Sequence, residues 1–332
     1  MDLHTSANDC TAKQMAARAS KSLSINDAAT GNSTNRNFVA GFWRLADPKI
    51  TLASMASIFL GACVAAAQGE IHAGWLVMTI AGFFAIEVAK NASGDIYDFE
   101  TDMAVAHEDR TDFSGGKRVL VDGLLSRSQT WAIAIAFYMV GIGIGVGIVV
   151  FREPLAIWPG VIGLLLAWSY NGPPGSFAYR GLGELDVAIC YGPLICISAY
   201  LIQLGEVSSD VVLVSIPLGI LIAAFLWINE FPDYEADRKV QKRNLIVRLG
   251  RYRASRLLPL IQGSAFLIVA LLPLMGLPRG IWLGGLALVP AAWVAVRTWQ
   301  DPERCYRHAP VSGGALIAFL LLSLGMGVGV LI

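Results

Sequence analysis

In the stretch "NASGDIYDFETD", Asn91, Asp95, Asp98 and Asp102 fall at i, i+4, i+7 and i+11, directly behind the apolar run "AGWLVMTIAGFFAIEVAK". On a helix these four side chains share one face. Like charges at that spacing destabilise a helix by tenths of a kcal/mol per pair. An unpaired aspartate inside a bilayer costs about 2.5–3.5 kcal/mol or more. A divalent cation is the simplest offset, and magnesium favours oxygen ligands drawn from one or two carboxylates and phosphate oxygens. The pattern recurs in "LWINEFPDYEADRKVQKRN", where Asn229, Asp233 and Asp237 sit at i, i+4 and i+8. Basic pairs follow each stripe, Lys117 with Arg118 and Lys242 with Arg243. Two facing stripes suit Mg²⁺ ions that bridge a diphosphate, with the basic side chains on its outer oxygens. An interfacial cap explains one such aspartate. It explains poorly two asparagine-led stripes at the same end of the molecule. Glu100 lies off the first face, and Asp237 beside Arg238 or Glu235 beside Lys239 could be surface pairs.

The elements that carry these stripes are membrane helices. The chain of 332 residues is 55% hydrophobic and 15% charged, with a mean hydropathy of +0.58, whereas soluble domains carry about 25% charged residues. Crossing a hydrocarbon core takes roughly 20 apolar residues. That ruler predicts nine helices, near 49–68, 73–91, 130–151, 155–171, 183–204, 210–230, 255–276, 280–298 and 312–331. The fourth is short and carries Pro159. With the amino terminus inside, only Arg152 and Arg279 of the 25 Lys and Arg fall on the outer side, the asymmetry of the positive-inside rule. The expected architecture is all-α: a polytopic bundle of nine transmembrane helices around a central cavity, embedded in the lipid bilayer, with a cytoplasmic amino terminus. Residues 1–40, rich in Ser, Ala, Asn and Thr, read as a disordered tail, and 41–332 as the transmembrane domain. Zero net charge argues against nucleic acid as a partner. The five cysteines form no CxxC or Cys/His cluster and suggest neither zinc nor a disulfide framework.

Other features have two readings. Gly115 and Gly116 of "FSGG" could admit a phosphate to the backbone or form an ordinary turn. Glu184 and Asp186 open the fifth helix and read as start caps or as neighbours of the site. The run "GIGIGVG", Gly141 to Gly147, lies mid-membrane and suggests close helix packing rather than a nucleotide loop.

A third segment, "YNGPPGSFAYRGLGELDVAICYGP" from Tyr170 to Pro193, joins the two stripes in a family resemblance. Together they resemble the UbiA-type intramembrane prenyltransferases over roughly residues 42 to 331. The "GPP…AYRGLGE" portion and "DYEADRKVQKRNLIVRLGR" are most similar to the 1,4-dihydroxy-2-naphthoate branch, of menaquinone synthesis. The first motif departs from that branch. Aligned on "YDF", Asp98 is central and Gly94 stands where asparagine belongs; aligned on Asn91, Asp95 is central. Both registers stay open.

The resemblance implies Mg²⁺-dependent transfer of a polyprenyl group from its diphosphate to an aromatic acceptor. Asp95, Asp98, Asp102, Asp233 and Asp237 would be the catalytic carboxylates, binding Mg²⁺ with Asn91 and Asn229. Lys117, Arg118, Lys242, Arg243 and Arg180 would contact diphosphate, and Tyr179 the allyl cation or the acceptor. Arg180 could equally be a lone topology charge, and Tyr179 an interfacial tyrosine. The implied setting is a bacterial inner membrane. Competing readings are the same chemistry on hydroxybenzoate, homogentisate, a tetrapyrrole or a sugar phosphate, and, from another class, a membrane transporter.

Overall fold

The computed structural model describes residues 38–106, 109–308 and 310–332. Residues 1–37 of the expected tail lie outside the described residues, and Phe38 opens the first helix. Among the described residues every regular element is helical. Among these residues eight spans are long and apolar enough to cross a membrane, and Pro154–Ser169 is a shorter ninth apolar helix. The expected nine-helix bundle is therefore present, short fourth member included.

The elements differ from their expected bounds where local chemistry intervenes. Helices α1 (Phe38–Ala46) and α2 (Pro48–Gln68) form one span broken at Asp47. Asp47 has φ 41°, and Pro48 follows at the first helical position, where its missing N–H costs nothing. Helix α3 (Ala73–Tyr97) runs past the expected end near 91. A short α4 (Phe99–Ala104) continues it, and Asp102 N–H still donates to Asp98 O at 2.8 Å. Asn91, Asp95 and Asp98 thus ride on or end α3, while Asp102 sits one turn further on α4.

Helix α5 (Arg127–Phe151) starts at a capping box of Ser126 and Gln129, which satisfies two orphan amides. The fourth member is a 3₁₀ turn (Pro154–Ala156) leading into α6 (Ile157–Ser169). After a single turn, α7 (Phe177–Arg180), the fifth span combines α8 (Gly183–Ile189), a π-helical stretch at Cys190–Leu194 containing Pro193, and α9 (Ile195–Leu204). Helix α10 (Ser209–Lys239) extends nine residues beyond its expected end at 230 and carries the whole second stripe. The rest is α11 (Leu245–Leu249), α12 (Arg251–Leu271), a 3₁₀ stretch at Arg279–Ala287 that leads into α13 (Leu288–Gln300), α14 (Cys305–His308) and α15 (Val311–Leu331).

Helix α10 is the centre of the bundle, packed on α8, α12 and α15, while α5 packs mainly on α3. Two-thirds of the most apolar window of α10 (67%) is buried, against 22% for α5, so α5 faces lipid. Lipid tails are as apolar as leucine, so burial alone does not join these helices; close packing and interhelical hydrogen bonds do. Ser323 Oγ donates to Ala56 O at 2.6 Å, tying α15 to α2, and Ser54 Oγ donates to Glu87, tying α2 to α3.

Small residues set the closest approach. A Cβ on Gly192 would lie 2.5 Å from Gly219 Cα, and one on Gly219 would lie 2.6 Å from Ala188 O. The glycine run on α5 behaves otherwise. Only Gly141 is pressed, against Ile86, while Gly143, Gly145 and Gly147 have nothing within 4 Å of an added Cβ. One glycine of that run, not four, does the packing expected of it. Accordingly, Gly219→Val should destabilise the protein by about 1–3 kcal/mol through overpacking, read as a lower melting temperature in detergent, whereas Gly143→Ala should leave the melt unchanged.

Candidate functional site

The continuation of α3 into α4 and the length of α10 bring both stripes to the same end of the bundle. Asn91, Asp95, Asp98, Asp102, Asn229, Asp233 and Asp237 all line one cavity of about 680 Å³. The link between stripes is Lys242, whose Nζ stands 3.8 Å from Asp98 Oδ2 and 3.8 Å from Asp237 Oδ1. Burial opposes its charge, but Asp237 and then Asp98 outweigh that and hold its pKa well above the usual lysine range.

The carboxylates do not have equivalent surroundings. Both Asp95 oxygens are engaged at 2.9 Å by backbone N–H groups, Oδ1 by Val119 and Oδ2 by Leu120. Asp95 therefore anchors the segment after Lys117. Asp98 accepts from the Tyr179 hydroxyl at 2.7 Å and from Asn171 Nδ2 at 2.6 Å. Asp102 is buried; burial first, and the charge of Asp98 second, push its pKa well above the usual carboxylate range. Asp233 accepts from Gly115 N–H at 3.1 Å, and Asp237 accepts from Asn244 Nδ2 at 2.8 Å.

The "FSGG" turn has a specific role. Gly115 and Gly116 have φ 78° and 70°, conformations that glycine adopts without strain. The first directs its N–H at Asp233 of the second stripe, and a Cβ on the second would overlap the Asp102 carboxylate of the first. The turn thus clasps the two stripes.

The basic residues divide. Lys242 and Lys117 line the cavity, Lys117 ion-paired with Asp47. Arg118 sits beside it, donating to Asp102 O at 2.6 Å and pairing with Asp122 at 3.3 Å. Arg180 and Arg243 are exposed and do not line the cavity. Their backbones serve instead, Arg180 O accepting from Arg248 Nη2 at 2.6 Å and Arg243 N–H donating to Tyr179 O at 3.1 Å. Tyr179 touches the site through Asp98, and the Lys242 ammonium lies 5.5 Å from its ring centre.

Sequence spacing missed several lining groups. Asn171 orients Asp98 and belongs to the quoted "YNGPPG". Lys49, Lys90, Arg110 and Glu230 also line the cavity. The signal for Lys90 was available, because it directly precedes Asn91 at the end of an apolar run. Glu184 is not a cap of its own helix: its Oε1 accepts from Leu245 N–H at 2.8 Å.

Among the described residues no three acidic, histidine or cysteine side chains already form a cluster that would hold a cation unaided. The donor set nonetheless fits one. Buried oxygens Asn229 Oδ1, Asp233 Oδ1 and Asp237 Oδ1 have no hydrogen-bond partner, and magnesium commonly completes its shell with water and phosphate oxygens rather than an all-protein cage.

Comparison with known proteins agrees with this architecture. A 1,4-dihydroxy-2-naphthoate octaprenyltransferase of Bacillus subtilis is 27% identical over 266 residues, 79% of this chain and 78% of that protein. A 2-carboxy-1,4-naphthoquinone phytyltransferase of Synechocystis is 28% identical over 241 residues, 68% and 71% of the two chains. Among solved structures, the apo UbiA homolog of Aeropyrum pernix superposes with a TM-score of 0.62 at 18% identity, covering 84% of this chain and 97% of that one. The Archaeoglobus fulgidus homolog bound to GPP and Mg²⁺ gives 0.59 at 17% identity, covering 88% and 99%. The profile of the UbiA prenyltransferase family matches residues 54–329. The chain belongs to that family and is a membrane-embedded prenyltransferase.

Proposed function

We propose that the protein transfers a polyprenyl group from its diphosphate to an aromatic acceptor of the 1,4-dihydroxy-2-naphthoate type, with Mg²⁺. The observation that carries this reading is the meeting of Asp98 and Asp237 across Lys242. The names of the naphthoate-using relatives support the acceptor.

Asp98, Asp102, Asp233 and Asp237, with Asn91 and Asn229, would hold the metal. When bound, Mg²⁺ would neutralise diphosphate oxygens as they take up charge. Lys242 binds an outer diphosphate oxygen, and Lys117 a second from its pair with Asp47. The C1–O bond of the allylic diphosphate breaks with its electron pair leaving on the phosphate. The acceptor ring carbon forms the new C–C bond and then loses a proton or, from a naphthoate acid, carbon dioxide. The fixed charges act where negative charge develops, which is the form of catalysis a preorganised site supplies. Asp95 keeps the 117–120 segment against the site rather than sharing equally in metal binding, which favours the register centred on Asp98. The strong basic asymmetry of the loops supports a cytosolic position for this end of the bundle, in an inner membrane.

Purified protein supplied with Mg²⁺, a labelled prenyl diphosphate and 1,4-dihydroxy-2-naphthoate should yield prenylated, decarboxylated product. EDTA should abolish it, and full turnover in EDTA would refute the metal assignment. Asp98→Ala and Asp233→Ala should each lower kcat on the order of 10²–10³-fold with the detergent melt retained, while Arg180→Ala and Arg243→Ala should change kcat/KM by less than about threefold, being exposed. For Asp95→Asn, the expected change is faster limited proteolysis between residues 110 and 123, because one of two backbone amides loses its acceptor.

A further inference from the structure

Below the carboxylate stripes the wall of the site holds charged groups that diphosphate chemistry does not use. Glu87 and Lys90 sit on α3 at i−4 and i−1 from Asn91. At 1.5 Å per residue, Lys90 lies about 12 Å deeper along the helix than Asp98. A second cavity of about 290 Å³, otherwise apolar, opens at this level between α3, α5, α6 and the fifth span. Lys90 and Tyr191 line both cavities, while Glu87 and Asp186 line the deeper one.

These groups are incompletely satisfied. Glu87 is 8% exposed; its Oε1 accepts from Ser54 and, at 3.1 Å, from the Tyr191 hydroxyl, but its Oε2 has no partner. Asp186 is 5% exposed and its Oδ1 has no partner. The Lys90 ammonium rests 4.4 Å from the centre of the Tyr170 ring. Among the described residues it makes no ion pair.

Such an arrangement is costly in an apolar wall unless a ligand completes it. Lys90 lies in the electrostatic field of both Glu87 and Asp186, so the wall presents one cation with two carboxylates rather than an isolated ammonium.

We propose that Lys90, Glu87 and Asp186 form the recognition site for the aromatic acceptor, a dihydroxylated aromatic carboxylate. Lys90 binds the carboxylate, while the free oxygens of Glu87 and Asp186 receive the two ring hydroxyls. The match is one cation and two acceptors in the wall against one anion and two donors on the ring. The ring lies at the junction, between diphosphate above and the apolar compartment below, and Tyr170 covers the ammonium. This assignment rests on the prenyl-transfer reading and selects the acceptor class within it. Discrimination follows because a ring lacking the carboxylate leaves the half-buried Lys90 without that partner.

The test compares 1,4-dihydroxy-2-naphthoate with 1,4-naphthohydroquinone, which lacks the carboxylate, in the full-length protein with Mg²⁺ and a fixed prenyl diphosphate. Equilibrium binding of each ring is measured in parallel by quenching of protein fluorescence, without prenyl diphosphate. Lys90→Met should raise both KM and Kd for the carboxylated ring by about 10–100-fold, the loss expected for a charge-assisted hydrogen bond. Its KM for prenyl diphosphate should stay within about twofold, since Lys90 lies deeper than the diphosphate end. Lys90→Arg, which keeps the charge, should restore most of the affinity, and Glu87→Gln should weaken both rings alike. Unchanged binding of the carboxylated ring to a folded Lys90→Met overturns the proposal, and so does a rise in the prenyl diphosphate KM alone. If the unaltered protein prenylates no ring, the functional reading fails separately, and the binding arm still decides whether Lys90 holds an aromatic carboxylate.

Discussion

Asp98, Asp102, Asp233 and Asp237 share the field of one ammonium, that of Lys242, at the end of an apolar bundle. At a separation of 4 Å and an effective dielectric constant of about 20, each unit-charge contact is worth on the order of 4 kcal/mol before desolvation. Lys49 and Lys117 of the same cavity are already paired with Asp112 and Asp47, so Lys242 faces four carboxylates and this part of the site is short of positive charge. Much of the surrounding structure serves to hold it in that condition. The α3–α4 continuation delivers Asp102, the extra turns of α10 deliver Asp233 and Asp237, and the Gly115–Gly116 turn clasps the two sides. Polar side chains that donate without adding charge, Tyr179, Asn171 and Asn244, absorb single lone pairs and leave others open.

That constraint explains why the stripes were legible in the sequence. Carboxylates at helical spacing behind apolar runs are conspicuous because a membrane makes them expensive, and period and side were enough to bring all seven stripe residues to one cavity. The nine helices were legible for a related reason, since a hydrocarbon slab imposes a minimum length on each. Helix ends were less so. Neither α3 nor α10 stops where apolarity stops, because each continues into the polar mouth under its own hydrogen bonds.

The basic residues show the limit of spacing arguments. "KR" occurs after both stripes, yet only the first residue of each pair faces the cavity. Arg118 has φ 53° and turns to Asp122, while Arg243 is exposed, where Arg248 uses its carbonyl. Adjacent residues in a non-helical segment point in directions that backbone conformation decides, and a motif does not encode that. Asp47 as the partner of Lys117 and Asn171 as the partner of Asp98 were equally hidden, being contacts across 70 and 73 residues.

Depth within the membrane then separates two kinds of polar group in one cleft. Near the mouth, carboxylates crowd together and the deficit is of positive charge, which suits a diphosphate brought in with its cations. About 12 Å inward along the helix, Lys90 stands with Glu87 and Asp186, one cation and two carboxylates whose oxygens Glu87 Oε2 and Asp186 Oδ1 have no hydrogen-bond partner. A neutral isoprenoid satisfies neither set of groups. With the proposed acceptor site, two chemically distinct ligands complete the cleft together, a diphosphate at the mouth and a hydroxylated aromatic carboxylate at the throat, with the reacting carbon between them. On that assignment the ring is held where it can capture the carbon as diphosphate leaves, so the polar groups of the throat serve the acceptor and those of the mouth serve the donor.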